Sequence, residues 1–459
     1  MNRHRLRIDL ARLACVSALL GCCSTASAAG ARPVKLLKGP YLTGLCETGV
    51  DVRFELDGAA SAVVEVDGGL AGHTFGDRTA STMHVVRTSG LAPASAHSYT
   101  VLVDGRALSQ GRFTTAPKNE SSAPLKFLVY GDDRTDPTAH AAVVRALAAT
   151  PSDFLVNTGD MVEDGGRAED WQSFFDIEAP LLRDRAIFVA IGNHELYDDR
   201  AGANFARYLG FSGTGGSTQP YGTVRLGNVR FFFLNSLHDW SSGEERKWLE
   251  AELGRADGEP GLAWRIAVMH HGPWSSGPHG VNTDLLKAHV PELLAAHGVD
   301  LVLGGHDHIY ERGATGGIKY VNSGGGGAPL YRSSKIASTR KTESTYHFVE
   351  ITTGDQEVRL VARRIDGSVL DQCGFGKGTG WDCDEPQVGV ADSNPNTAPG
   401  VASASVHAPP LATASSSSHC ALATPGSRTR AKFGAVLLAA LGAFAVARRK
   451  GRRARGLTG

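Results

Sequence analysis

Asp, Asn and His recur in this chain at one kind of place, within a few residues of the end of a short apolar run. Gly131-Asp132 follows Phe127-Leu128-Val129-Tyr130, and Gly159-Asp160 follows Phe154-Leu155-Val156. Gly192-Asn193-His194-Glu195 follows Ile187 to Ile191, and His270-His271-Gly272-Pro273 follows Ile266-Ala267-Val268-Met269. Gly304-Gly305-His306-Asp307-His308 follows Leu301-Val302-Leu303. Each run reads as a short buried strand. Taken singly, such an Asp is a turn residue or helix cap and such a His a satisfied structural one. Taken together, they place oxygen and imidazole donors at the ends of five strands, where an open α/β sheet builds its sites. Donors of this kind without thiolate suit Mn, Fe, Zn or Co rather than a cysteine-built structural zinc site. Two such ions about 3.5–4 Å apart clamp an in-line phosphoryl displacement, acidify a bound water and neutralise charge on the phosphate.

The order GD…GD…GNHE…HH-x-P…GGHDH-x-YER within residues 131–312 resembles the calcineurin-like metallophosphoesterases and, within them, the purple acid phosphatases. The resemblance covers residues 122–362. It implies an αββα core and a centre of two metal ions, Fe, Mn or Zn. It assigns the bridge between the ions to Asp160, the first ion to Asp132 and His308, and the second to Asn193, His270 and His306. His271 stands as the alternative to His270, which is preferred because it follows the strand directly. His194 is placed beside the ions as a general acid or phosphate contact, with Glu195 orienting its loop. His279 stands near where related enzymes put a substrate-facing histidine.

Two departures from the family pattern stand out. Many relatives have Asp-x-His at the first motif, where this chain has Asp132-Asp133-Arg134. Purple acid phosphatases supply a tyrosinate three residues after the second Asp, where this chain has Glu163. Arg134 is always protonated and cannot ligate a metal; its fork suits a bidentate contact to substrate phosphate. Glu163, or water, is left to replace the missing donor. Without tyrosinate the purple colour should be absent.

The flanking segments bear on location. Residues 1–28 have a basic start (Arg3, Arg5, Arg7), an apolar centre from Leu13 to Leu20 and a small-residue cleavage site at Ala26-Ser27-Ala28, the pattern of a secretory signal. Leu19-Leu20-Gly21-Cys22 also resembles a lipobox, which would leave a lipidated Cys22. Residues 385–430 are rich in Ala, Ser, Pro and Thr, and a disordered linker is expected there. Residues 433–459 pair an apolar run, Phe433 to Ala447, with a basic cluster and resemble a bacterial C-terminal sorting tail, or a plain membrane anchor. The chain's formal charge is zero, yet residues 1–28 and 428–459 together hold 13 bases and one acid. The body between them carries 34 bases and 46 acids, a net of −12, which disfavours long-range attraction to nucleic acid. Cys373 and Cys383 are spaced for a disulfide, whereas Cys46 has no obvious mate.

Residues 31–117 show period-two runs at Val50–Leu56, Ala62–Val66 and Tyr99–Val103, the pattern of an antiparallel sandwich. Leu91 to Tyr99 resembles a fibronectin type III stretch, and Gly39-Pro40-Tyr41-Leu42 resembles the start of the domain that precedes the catalytic one in purple acid phosphatases. Gly324 to Gly327 lacks the Gly-Lys-Ser/Thr ending of a nucleotide loop and reads as a close-approach loop beside the metals.

The expectation is therefore an exported multidomain protein: an all-β sandwich at 31–117, then an α/β metallophosphoesterase core at 122–370 that hydrolyses phosphomonoesters by attack of metal-bound hydroxide. Phosphodiester or nucleotide hydrolysis on the same centre is the enzymatic alternative. A non-catalytic surface-binding module, suggested by the missing first-ion donor, is the alternative of another class.

Overall fold

The computed structural model describes residues 32–68, 72–212 and 218–383, which lie in one compact unit. The leader at 1–28, the linker at 385–430 and the apolar and basic tail at 433–459 fall outside these residues. Among the described residues no helix is long and apolar enough to cross a membrane.

Five strands come first: β1 (Leu36–Cys46), β2 (Gly49–Val66), β3 (His73–Arg87), β4 (Ala96–Val103) and β5 (Arg106–Thr114). The core continues with β6 (Leu125–Tyr130), α1 (Pro137–Ala149), β7 (Phe154–Asn157), α2 (Ala168–Leu182), β8 (Ala186–Val189), α3 (Ala203–Tyr208) and a short ribbon of β9 (Phe211–Ser212) with β10 (Thr218–Gln219). Next are β11 (Gly222–Leu226), β12 (Val229–Leu234), α4 (Glu244–Asp257), β13 (Trp264–Met269), α5 (Thr283–Lys287), α6 (Val290–Ala296) and β14 (Leu301–Gly304). The remaining strands are β15 (Tyr310–Thr315), β16 (Ile318–Ser323), β17 (Thr339–Glu343), β18 (His347–Thr353), β19 (Glu357–Arg364), β20 (Val369–Gly376) and β21 (Asp382–Cys383).

Two sheets face each other. One runs β21-β20-β19-β18-β6-β7-β8-β1-β2-β4-β5, with β3 also on β2, and the other runs β11-β12-β13-β14-β16-β15-β17. In the first, β6, β7 and β8 are parallel; in the second, β12, β13, β14 and β16 are parallel. Strand alternation assigns the layers. Phe127, Val129, Phe154, Val156 and Phe188 point between the sheets, where they meet Phe231, Phe233, Ile266, Val268 and Leu303. Phe154 lies edge-on to Phe231 at 5.7 Å and stacks on Phe127 at 5.1 Å. Their neighbours Leu128, Tyr130, Leu155 and Ile187 point outward under α1 and α2, onto Val143, Leu147, Trp171 and Phe174. Phe232, Ala267, Met269 and Val302 point outward under α4, α5 and α6. Strands covered on both faces need apolar residues at every position, which is why they read as unbroken runs. The result is the αββα layering expected from the sequence.

The helix starts are written locally. Asp136 caps α1, accepting from the amides of Thr138 and Ala139 at 2.9 and 3.1 Å, with Pro137 at the first helical position. In the amino-terminal segment the runs Val50–Leu56 and Ala62–Val66 lie on one strand, β2. The Asp57-Gly58 pair, a turn signal in the sequence, lies in a register shift between Glu55 and Ala60 that bends the strand without ending it. β1 joins the core sheet through the parallel pair Leu42 and Ala186, and the interlayer core runs on into Val52, Phe54, Val64 and Val101. Glu55 accepts from Lys38 at 2.6 Å, from Arg207 and from Tyr208 at 3.3 Å, tying β1, β2 and α3 together. Cys373 and Cys383 are disulfide-bonded, and Cys46 is free.

Candidate metal centre

The parallel strands β6, β7, β8, β13 and β14 deliver Asp132, Asp160, Asn193, His270 and His306 with His308 to one edge of the two sheets. The turns that present them are tight. Asp132, Asp160 and His306 take left-handed φ values of 59°, 57° and 70°, a region that costs a non-glycine residue on the order of 1 kcal/mol or more. Surrounding bonds hold them there. The Asp132 amide donates to Gly159 O at 2.9 Å and the Asp133 amide to Asp160 O at 3.0 Å. The His306 amide donates to both carboxylate oxygens of Asp132, at 3.0 and 3.2 Å.

Asp160 is the hub. Its Oδ1 lies 3.3 Å from His270 Nε2 and accepts from the His194 amide at 3.0 Å. Its Oδ2 lies 3.8 Å from His194 Nε2 and 3.3 Å from Arg134 Nε. His270 Nε2 is 3.2 Å from His306 Nδ1, and donor atoms of Asp160, His270 and His306 all fall within 4.8 Å of one another. Asn193 Oδ1 is buried without a hydrogen-bond partner. A carboxylate and two imidazoles gathered in this way, on a chain that also leaves the Asn193 amide oxygen buried and unpartnered, fit an oxygen- and nitrogen-liganded divalent ion. His270 is fixed by its other nitrogen, 2.9 Å from Thr158 O, so Nε2 faces the cluster. Its neighbour His271 instead lies against the His306 ring at 4.3 Å.

Asp132 and His308 form the other half, with His308 Nε2 3.5 Å from Asp132 Oδ1. His308 Nδ1 lies 2.7 Å from Pro329 O, which places the proton on Nδ1 and the lone pair on Nε2. The Arg134 guanidinium enters this half. Nη2 is 3.4 Å from His308 Nε2, and Nη1 is 3.1 Å from Glu163 Oε2 and 3.0 Å from Thr135 Oγ1. Glu163 also accepts from Thr135 at 2.5 Å; its carboxylate is engaged by Arg134 and Thr135.

Charge follows this arrangement. Burial works against ionising Asp160, but His270, His194 and the His194 amide outweigh it and hold the carboxyl below its usual range. Burial likewise opposes a charged His270, yet the carboxylates of Asp160 and Asp132 push it up to about 9. His308 is depressed to about 4, first by burial and then by Arg134. Imidazole-bound protons and a metal ion therefore compete for the same acceptors.

The remaining predicted residues lie around this cluster. His194 Nδ1 is 2.6 Å from Glu163 O, and its ring lies 4.4 Å from that of Tyr197. His279 lies over His306 at 4.2 Å and is 2.8 Å from Asp307 Oδ1. Glu195 has a larger part than its sequence position shows. Oε1 accepts from Met161 at 2.8 Å and Val162 at 3.4 Å, and Oε2 from Asp160 at 3.0 Å and Gly192 at 2.7 Å. One carboxylate thereby clamps the loops after β7 and β8. The glycine run lies close to the centre: a Cβ on Gly324 would come 2.3 Å from Asp307 O, and one on Gly326 would come 2.1 Å from Asp133 Oδ1.

Several contributors carry no readable sequence signal. Tyr331 stacks on His308 at 4.1 Å. Behind the first motif, Asn157 Nδ2 donates to Asp133 Oδ2 at 2.5 Å, and His140 on α1 lies 2.9 Å from Glu178 on α2.

A family model described as calcineurin-like phosphoesterase matches residues 126–310. Purple acid phosphatase 18 of Arabidopsis thaliana is 31% identical over 163 residues, 34% of this chain and 36% of that protein. The chain spans about half the length, or less, of such curated relatives. Purple acid phosphatase PPD1 from yellow lupin (Lupinus luteus) seeds shares the fold, with a TM-score of 0.62 at 18% identity over 73% of this chain and 74% of that one. A solved structure of PhoD does so with a TM-score of 0.59 at 14% identity, over 75% of this chain and 91% of that one.

Proposed function

We propose that this chain, which carries a calcineurin-like phosphoesterase domain, is a metal-dependent phosphohydrolase that cleaves phosphomonoesters. The observation that carries the reading is the convergence of Asp160, His270 and His306 within 4.8 Å of one another. Asn193, His270 and His306 are the residues to hold one ion, Asp132 and His308 the other, with Asp160 between them. When bound, the ions supply an acidified water and neutralise charge on the attacked phosphate.

The chain's own groups do the rest. His194 is held through Nδ1 by Glu163 O, leaving Nε2 toward Asp160 and the reacting edge, where a protonated imidazole can donate to the leaving oxygen. His279, half-exposed and fixed by Asp307, covers the His306 side. Arg134 supplies a permanent positive charge for a phosphate oxygen. Export is the reading of the amino-terminal segment, with attachment to a membrane through the tail or a lipidated Cys22.

The test is hydrolysis of an aryl phosphate monoester and an aryl diester by metal-stripped protein given Mn, Zn or Fe separately. Monoester turnover restored by an ion is expected. Diester preference would move the reading to a phosphodiesterase, and absence of both turnover and ion binding would leave a binding module.

A further inference from the structure

The two halves of the centre differ in one respect that the residue types alone do not show. In the half assigned to Asn193, His270 and His306, the two imidazoles face each other and the Asn193 Oδ1 is buried without a partner. The Asp132 and His308 half faces a guanidinium. Arg134 is nearly buried, its side chain 12% exposed, and four groups fix it: Asp160 Oδ2 at 3.3 Å, His308 Nε2 at 3.4 Å, Glu163 Oε2 at 3.1 Å and Thr135 Oγ1 at 3.0 Å. Two of these groups belong to His308, which the proposed function assigns to the first ion, and to Asp160, which it shares between the two. A guanidinium cannot shed its proton to make way. A divalent ion arriving at His308 must both break these contacts and meet a like charge.

We infer that Arg134 is a built-in cation of the first ion position, so that the centre takes one divalent ion tightly at Asn193, His270 and His306 and a second only as the guanidinium is displaced from Asp160 and His308. The inference rests on the proposed metal centre and adds an order to it. The displaced guanidinium stays beside the centre, within reach of Glu163, and a phosphate anion offers it a bidentate partner in exchange for the lost ones. Phosphate and the second ion therefore favour each other, and by linkage each raises the other's affinity by the same factor. The residue standing where relatives carry a metal-binding histidine becomes a gate that couples full metal loading to the presence of a phosphate group.

The experiment is a Mn2+ titration of metal-stripped full-length protein, counting free Mn2+ by its electron paramagnetic resonance signal, with and without inorganic phosphate. One tight equivalent is expected, with a second at least tenfold weaker that tightens when phosphate is added. His308→Ala should remove the weak equivalent and leave the tight one. Arg134→Met should bring the two affinities within a few-fold of each other and abolish the phosphate effect, whereas Arg134→Lys, which keeps the charge, should preserve a gap. Two equal equivalents in the wild type, or loss of the tight equivalent in His308→Ala, would overturn the inference. So would an undiminished gap in Arg134→Met; if that variant proves misfolded by circular dichroism, the wild-type phosphate effect and His308→Ala decide alone. Failure to bind any ion would instead remove the metal centre itself.

Discussion

Glu195→Gln tests whether one carboxylate holds the loops that aim Asp160 and Asn193. Glu195 is fully buried and accepts four backbone amides, two on each oxygen. Glutamine has nearly the same shape but keeps only one acceptor oxygen. Its NH2 group must then face two amide donors, whichever way the side chain is turned. Each buried donor left without an acceptor costs about 1–3 kcal/mol, so the expected loss is about 2–6 kcal/mol of folding stability. The damage is also local, because two of the four amides belong to Asp160 and Gly192 and a Cβ at Gly192 would already lie 2.2 Å from Asp160 Oδ1. Chemical denaturation of metal-stripped wild type and variant measures the stability loss, and ion content after gel filtration measures the effect on the site. A variant within about 0.5 kcal/mol of wild type that retains its ions would refute the clamp.

Three further outcomes are expected. Asp160→Asn should abolish ion retention and nearly all turnover, checked by elemental analysis and aryl phosphate hydrolysis; substantial turnover would sink the hub assignment. His347 is fully buried and depressed to about 4 by burial, so its stabilising contribution is whole above pH 6.5 and is lost as pH falls toward 4. A shift of that size corresponds to on the order of 3 kcal/mol, and His347→Gln should flatten the stability profile between pH 6.5 and 4 in denaturation measurements. Glu55→Ala should cost about 3–5 kcal/mol, since it leaves the nearly buried Lys38 ammonium and Arg207 without their shared carboxylate; a loss below 1 kcal/mol would show that the ion network does not tie β2 to α3.

The residues of the candidate centre stand out in the sequence because their signals are local. A glycine turn ending an apolar run marks a strand end, and parallel neighbours, β6 to β8 in one sheet and β13 with β14 in the other, carry such ends to the same side of their sheet. The αββα layers follow from the same runs, each apolar at every position. What stayed hidden depends on partners far apart in sequence. Nothing near Glu195 says that it will accept amides from residues 160–162, 33 to 35 positions away. Tyr331 over His308 and His140 against Glu178 are likewise products of packing. The joining of Val50–Leu56 and Ala62–Val66 in β2 is also a product of pairing, since the local turn signal of Asp57-Gly58 is overruled by the ladder to β3 on both sides of it.

The left-handed backbone at Asp132, Asp160 and His306 has a consequence for how this centre answers mutational scanning. Alanine at any of the three removes a donor and keeps the conformational penalty, so an alanine scan confounds chemistry with backbone strain. Asparagine tolerates that region and glycine is at ease in it. In the metal-free chain Asp160→Gly is therefore expected to be more stable than Asp160→Ala, even though neither holds an ion. The geometry that makes three residues good donors is one that the fold maintains against local preference, through the amides that Asp132 and Asp160 accept.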